Sequence, residues 1–204
     1  MKESKAFWDK TARRYAKSPV RDVDTYQKKL AITQGYFRQD WSVLEFGCGT
    51  GSTALAHAPY VNEILATDIS GKMLDIAAQK ARDAGIENVR FQQGTLESLE
   101  LEPENFDAVL GLNILHLLEN AEVAVSRVYE VLRPGGIFVS STALVADMLV
   151  LWRLLIPAMQ MVGLAPFVNR FTRETLVSML TNAGFSIEYE WQPNKASVFL
   201  VARK

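Results

Sequence analysis

Val43-Leu44-Glu45-Phe46-Gly47-Cys48-Gly49-Thr50-Gly51 runs a short apolar stretch straight into three glycines at alternate positions. Ser42–Phe46 reads as a buried strand, and the residues after Gly51 as a helix reaching about Ala58. A strand that turns through glycines into a helix presents backbone N–H groups at the helix start. The glycines there permit positive φ and let a ligand approach without a Cβ in the way. The spacing is GxGxG and departs from the dinucleotide fingerprint GxGxxG. No Lys-Ser/Thr pair follows it, so a phosphate-binding P-loop is excluded.

The next strand, Glu63–Thr67, ends on Asp68, seventeen residues beyond Gly51. A carboxylate at that place can accept both hydroxyls of a ribose. Loop and acid together point to a cofactor containing a nucleoside. The plainer reading makes Asp68 a turn cap and the glycines a tight turn.

Outward from this unit, strand and helix alternate. Ser70 caps a helix that Gly85 stops near Ala84. Asn88–Gln92 and Phe106–Gly111 are strands, Ala121–Leu132 is a helix, and Ile137–Ser141 is the fifth strand after Arg133-Pro134-Gly135-Gly136. Near-continuous apolar strands alternating with helices define a doubly wound α/β sheet. The end breaks the pattern. Helix Thr172–Ala183 is followed by Phe185–Trp191 and Ala196–Ala202, a hairpin joined by Gln192-Pro193-Asn194-Lys195, which makes one edge antiparallel. Ahead of the alternation, residues 1–40 read as a helical cap carrying Phe7, Trp8, Tyr15 and Tyr26.

The 204 residues suit a single domain, and 49% hydrophobic content suits a packed core. A formal net charge of -1 argues against wholesale phosphate neutralisation, so no nucleic-acid partner is expected. The charge is unevenly placed, since residues 1–38 hold ten Lys/Arg against four Asp/Glu. A single cysteine, Cys48, forms no internal disulfide, and no Cys/His cluster offers a zinc site. The longest uncharged run, Leu154–Asn169, is 16 residues and holds Pro157, Gly163 and Pro166, short of the ~20 apolar residues of a membrane span. The expectation is a soluble, cytoplasmic protein without a signal peptide.

Five stretches, VLEFGCGTG (43–51), ATDIS (66–70), VRFQQG (89–94), FDAVLGLNILHLL (106–118) and VLRPGGIFV (131–139), resemble the class I S-adenosylmethionine-dependent methyltransferases, and in the same order. The likeness is to the small-molecule branch that methylates quinones, lipids or similar metabolites. It implies a Rossmann-like, mostly parallel seven-stranded sheet with the last strand inserted antiparallel beside the sixth. It implies S-adenosyl-L-methionine as cofactor and no metal. Gly47, Gly49 and Gly51 would face the methionine and ribose, with Glu45 behind the loop. Asp68 would take the ribose hydroxyls, and Ile69 and Met73 would flank the adenine. Asn113, with Ile114 and Leu115, would line the methionine side, and Tyr15 would close over the methyl group. Where many members carry Gly-Asp after the third strand, this chain has Gly94-Thr95-Leu96-Glu97. Thr95 and the Leu96 N–H would meet the adenine instead, and the exchange of a charged for a neutral acceptor costs about 1 kcal/mol.

The sulfonium is already activated, so the protein's task is alignment and exclusion of water. A base is needed only for an acceptor that must lose a proton. His116, just beyond the fourth strand, is the candidate, against a packing or substrate-binding role. His57 and Cys48 are weaker candidates. Residues 143–171 are an apolar insertion with Met148, Trp152, Met159 and Met161. They read as a lid over the acceptor, a dimer interface or membrane-surface contact, or plain core helices. His116, Trp152, Met159 and Arg170 are the candidate acceptor contacts. The function expected is methyl transfer to a small lipophilic acceptor. The alternatives are a protein methyltransferase and a cofactor-binding regulatory module without turnover.

Overall fold

In the computed structural model, the structure describes residues 2–144 and 167–204. Seven strands form one sheet in the order β3-β2-β1-β4-β5-β7-β6. They are β1 (Ser42–Phe46), β2 (Glu63–Asp68), β3 (Val89–Gln93), β4 (Phe106–Leu112), β5 (Leu132–Ala143), β6 (Ser186–Asn194) and β7 (Ser197–Arg203). The first five pair in parallel, and β7 lies antiparallel between β5 and β6.

Successive residues of a strand point to opposite faces, so apolar runs feed two cores. Leu44, Val109, Phe138 and Leu200 pack on one face against α5 (Ala121–Val131) and α6 (Arg173–Asn182). Their neighbours Val43, Ala108, Ile137 and Phe199 pack on the other, where Ala54 of α3 (Ser52–His57) and Leu74 of α4 (Gly71–Asp83) meet them. All eight strand residues are fully buried. Burial of a side chain such as Phe138 or Leu44 stabilises the fold by about 1.5–3 kcal/mol.

Helix ends follow the sequence. The Ser70 hydroxyl accepts the Met73 N–H at the start of α4, and Thr172 does the same for Thr175 at the start of α6. The cap consists of α1 (Lys2–Lys17) and α2 (Val23–Gln34), the latter opened by the Asp22 carboxylate on the Thr25 N–H.

Two boundaries differ from the sequence reading by three residues or more. The fifth strand starts at Leu132 rather than Ile137, because the chain end draws the Arg-Pro-Gly-Gly turn into the sheet. Leu132 pairs with Phe106, Gly135 N–H donates to the Lys204 carbonyl, and Lys204 N–H returns to Gly136. The hairpin turn shrinks to Lys195-Ala196, since Asn194 still pairs with Ser197 and its Oδ1 accepts the Ala196 N–H at 2.9 Å. No helix among the described residues is long and apolar enough to cross a membrane. Most of the 143–171 insertion, with Trp152 and Met159, lies outside the described residues.

Candidate active site

The C-terminal ends of β1, β2 and β4 converge on a cavity of about 340 Å³ roofed by α1. Its floor is the glycine loop. Gly47 and Gly51 both adopt left-handed φ, at 66° and 71°. A Cβ on Gly47 would lie 2.6 Å from the Ile114 side chain, and one on Gly51 would lie 2.7 Å from Ala77. Both positions therefore demand glycine for conformation and for space.

The loop is tied to the second strand. Cys48 N–H donates to the Thr67 carbonyl at 2.9 Å, and Gly49 N–H donates to Asp68 Oδ2 at 2.9 Å. Asp68 Oδ1 accepts the Ser70 N–H at 2.8 Å. Two backbone donors thus orient the carboxylate at the cavity wall and leave lone pairs for a further pair of hydroxyls. Burial pushes the Asp68 carboxyl up from its ordinary value, and the Ser70 and Gly49 hydrogen bonds oppose that shift.

Of the eleven cofactor residues expected from sequence, nine line this cavity: Tyr15, Gly47, Gly49, Asp68, Ile69, Met73, Thr95, Leu96 and Asn113. Glu45 and Gly51 stand behind it. Gly51 packs against α4 and β3 through Ala77 and Phe91. Glu45 is buried, and its Oε2 has no hydrogen-bond partner among the described residues. Burial, with the Asp68 charge second, pushes its carboxyl up to about 8, so it is protonated at neutral pH. Thr95 Oγ1 accepts the Ser98 N–H at 3.2 Å, an arrangement that holds the Gly94–Glu97 turn against the cavity.

Helix α1 closes the top. Asp9 Oδ1 accepts from the Ser70 hydroxyl at 2.7 Å and from the Lys72 N–H at 3.3 Å, fastening α1 to the start of α4. That seats Ser4, Trp8 and Tyr15 on the cavity. Trp8 meets Phe7 and Tyr15 edge-on at 5.1 and 6.2 Å. Burial and then the charges of Asp68 and Glu45 push the Tyr15 hydroxyl up, so it serves as a donor rather than a base at neutral pH.

Asn113 follows β4 in a left-handed conformation, φ 58°, which asparagine tolerates better than most residues. Its N–H donates to the Ser141 carbonyl at 2.6 Å. His116 lies in the following 3-10 turn (Leu115–Leu117) and is not among the residues lining the cavity. Its Nδ1 is buried without a partner among the described residues, and burial holds the ring down at about 4. Arg170 is exposed and does not line this cavity. His57 is fully buried against Phe37, and burial pushes the Cys48 thiol well above its ordinary value, consistent with the weak candidacy of both. No group of three or more His, Cys, Asp or Glu among the described residues could hold a metal ion.

Sequence reasoning missed two contributors. Asp9 is an acid three residues before the buried Ala12, and only the fold shows that it reaches Ser70. Lys29 was counted among the basic residues of the cap, while the structure points its ammonium at Ser141.

A glycine cradle, an oriented carboxylate at the end of β2 and a sheet in which β7 is inserted antiparallel together form a site shaped for a cofactor containing a nucleoside. Residues 43–136, from β1 into β5, match the family described as "Methyltransferase domain". Particular relatives follow. The chain is 39% identical over 109 residues to the uncharacterized methyltransferase YcgJ of Bacillus subtilis, covering 53% of this chain and 43% of that protein. It is 30% identical over 121 residues to the ubiquinone/menaquinone biosynthesis C-methyltransferase UbiE of Coxiella burnetii, covering 57% and 48%. The chain thus spans about half the length of these curated relatives or less. The fold is shared with the S-adenosylmethionine-dependent methyltransferase of Mesorhizobium loti, at TM-score 0.72 and 21% identity over 87% of this chain and 96% of that one.

The cavity fits S-adenosylmethionine. The glycine cradle that a Cβ would fill, the oriented Asp68 and the orphaned Glu45 carboxyl are the donor and acceptor set that a nucleoside bearing a positive charge requires.

Proposed function

We propose that this protein transfers a methyl group from S-adenosylmethionine to a small, lipophilic acceptor of the quinone or lipid type. The observation that carries the reading is the Asp68 carboxylate, held by the Gly49 and Ser70 N–H groups at the edge of the α1-roofed cavity. The relative named for ubiquinone/menaquinone biosynthesis supports a lipophilic ring acceptor over a protein one.

When bound, the cofactor supplies an activated methyl group as a sulfonium. Asp68 would hold the ribose. Ile69, Met73, Thr95 and Leu96 would surround the adenine, and Asn113 would face the methionine portion. Trp8 and Tyr15 would cover the cofactor from above, with the Tyr15 hydroxyl as a donor.

Calorimetric titration of ligand-stripped protein tests the reading. S-adenosylmethionine and S-adenosylhomocysteine are expected to bind one to one, and a nicotinamide dinucleotide not at all. Binding of the dinucleotide, or of neither sulfur compound, overturns it.

A further inference from the structure

A second cavity, of about 280 Å³, lies beside the first. Leu112 and Asn113 line both, so the two spaces meet at the end of β4. The second is walled by α2 through Tyr26 and Lys29, by Ser141 of β5, and by the hairpin through Ser197 and Phe199. Its size falls near that of pockets for small organic ligands, about 300–1,000 Å³.

Lys29 is the unusual lining group. Its ammonium donates to Ser141 Oγ at 2.8 Å, and among the described residues no carboxylate lies within 4.0 Å of it. Asp22 acts on it only from a distance, and burial pushes the amine below its ordinary value. An ammonium has three N–H donors, and a half-buried cation without a counter-ion is costly unless something of opposite charge arrives. Asp22 also lines the wall, but its carboxylate caps the Thr25 N–H and stays more than 4.0 Å from the ammonium, and the remaining wall groups carry no charge. Tyr26 and Thr53 are neutral hydroxyls, with their oxygens 3.5 Å apart. His57 is neutral, and its two ring nitrogens have no partner among the described residues.

We infer that this second cavity is the acceptor subsite, and that Lys29 there binds an anionic oxygen, phenolate, enolate or carboxylate, of a small aromatic acceptor. The inference rests on the methyltransferase reading above and deepens it. It gives the conformation at Asn113 a role, since that residue forms the partition across which cofactor and acceptor meet. It also explains why a lysine of the basic cap is turned inward on Ser141.

Benzoate, 4-nitrophenolate at alkaline pH and neutral benzamide serve as probes, titrated by calorimetry into protein saturated with S-adenosylhomocysteine. The cofactor product is titrated first. Failure of that step overturns the methyltransferase reading and this inference with it, whereas its success isolates the acceptor question. At least one anion is expected to bind ten-fold or more tighter than benzamide. Preference for benzoate over 4-nitrophenolate, or the reverse, tells which anionic oxygen the site takes. Lys29→Met is expected to abolish the preference while S-adenosylhomocysteine affinity stays within two-fold, and Lys29→Arg to retain it. Equal binding of benzamide and both anions, no binding of either anion, or an undiminished preference in Lys29→Met overturns the proposal. The comparison of probes on the wild-type protein decides the matter even if a variant fails to fold.

Discussion

The backbone N–H of Gly49 donates a hydrogen bond of 2.9 Å to the carboxylate of Asp68, which joins the turn after the first strand to the end of the second. β1 and β2 are adjacent and parallel, with Phe46 in register with Thr67, so the two C-terminal ends are neighbours by topology. The bond converts that proximity into a fixed orientation. It sets the carboxylate before any ligand arrives, which reduces the ordering cost of binding.

Asp68→Ala is expected to weaken binding of S-adenosylmethionine by roughly 10- to 100-fold, about 1.5–3 kcal/mol, through loss of charge-assisted hydrogen bonds. Asp68→Asn retains one acceptor oxygen and is expected to fall between. Calorimetric dissociation constants check this, and wild-type affinity in Asp68→Ala would remove the residue from the ribose site.

The seat of the roof depends on a neighbouring contact. Asp9 fastens α1 to α4 through the Ser70 hydroxyl and the Lys72 N–H, while its ion pair with Lys5 at 2.7 Å is on the surface. Exposed pairs of that kind contribute little, whereas the bonds to the start of α4 position Trp8 and Tyr15. Asp9→Ala is expected to raise the cofactor dissociation constant by roughly 5- to 10-fold, about 1 kcal/mol, and to speed proteolytic cleavage within residues 1–20. Lys5→Ala is expected to change neither. Equal effects of the two variants would locate the latch in the ion pair instead.

Glu45 makes the empty protein sensitive to alkali. Its folded carboxyl titrates at about 8 against an ordinary 4.5. A raised folded value means that its contribution to stability is complete below about pH 4.5 and is lost as pH rises through 8. Glu45→Gln keeps the shape and removes the titration. Between pH 6 and pH 8 the wild type is expected to lose about 2 kcal/mol relative to this variant, read from denaturant midpoints. A cationic cofactor favours the ionised carboxylate, so S-adenosylmethionine binding is expected to strengthen over the same range and to release protons. Calorimetry in buffers of different ionisation enthalpy detects that release, and S-adenosylhomocysteine, without the sulfonium, is expected to release fewer.

How much of this was legible in the sequence follows from what each element depends on. The glycine loop and the Ser70 cap are set by residues within a few positions, Asp68 follows from the end of the very next strand, and the structure places them as the pattern implies. The alternation of apolar strands also gave the layer architecture, since Val43 and Leu44 had to face opposite cores. The misplaced start of β5 is different in kind. Arg133-Pro134-Gly135-Gly136 is turn chemistry by every local rule, and it enters the sheet only because Lys204, about seventy residues away, pairs with it. The Asp9–Ser70 and Lys29–Ser141 bonds span comparable gaps of 61 and 112 residues. Contacts of that range leave no periodic trace in a single sequence.

The candidate base yields a prediction on turnover. His116 has a buried, unpartnered Nδ1 and a ring held at about 4, so it is neutral across the physiological range. As a general base, His116→Ala is expected to slow turnover by roughly 10²-fold or more, within the range typical of acid–base groups, while leaving S-adenosylmethionine affinity within two-fold. Turnover unchanged across a pH series would reduce His116 to packing.

The other histidine acts on the fold rather than the chemistry. His57 is fully buried, edge-on to Phe37 at 5.1 Å, and burial holds its ring at about 4 against an ordinary 6.5. A neutral buried histidine must acquire a proton when the chain unfolds in mild acid. Its contribution to stability is therefore complete above about pH 6.5 and is lost as pH falls through 4. His57→Leu removes that titration. The wild type is expected to lose about 1–2 kcal/mol more than the variant between pH 7 and pH 5, seen as converging melting temperatures on acidification if the variant starts less stable. Parallel pH profiles for the two proteins would mean that the ring reaches a proton without unfolding, through the second cavity that it lines. A lag of exchange at the His57 ring in NMR titration, relative to a free imidazole, separates those cases at the level of the single side chain.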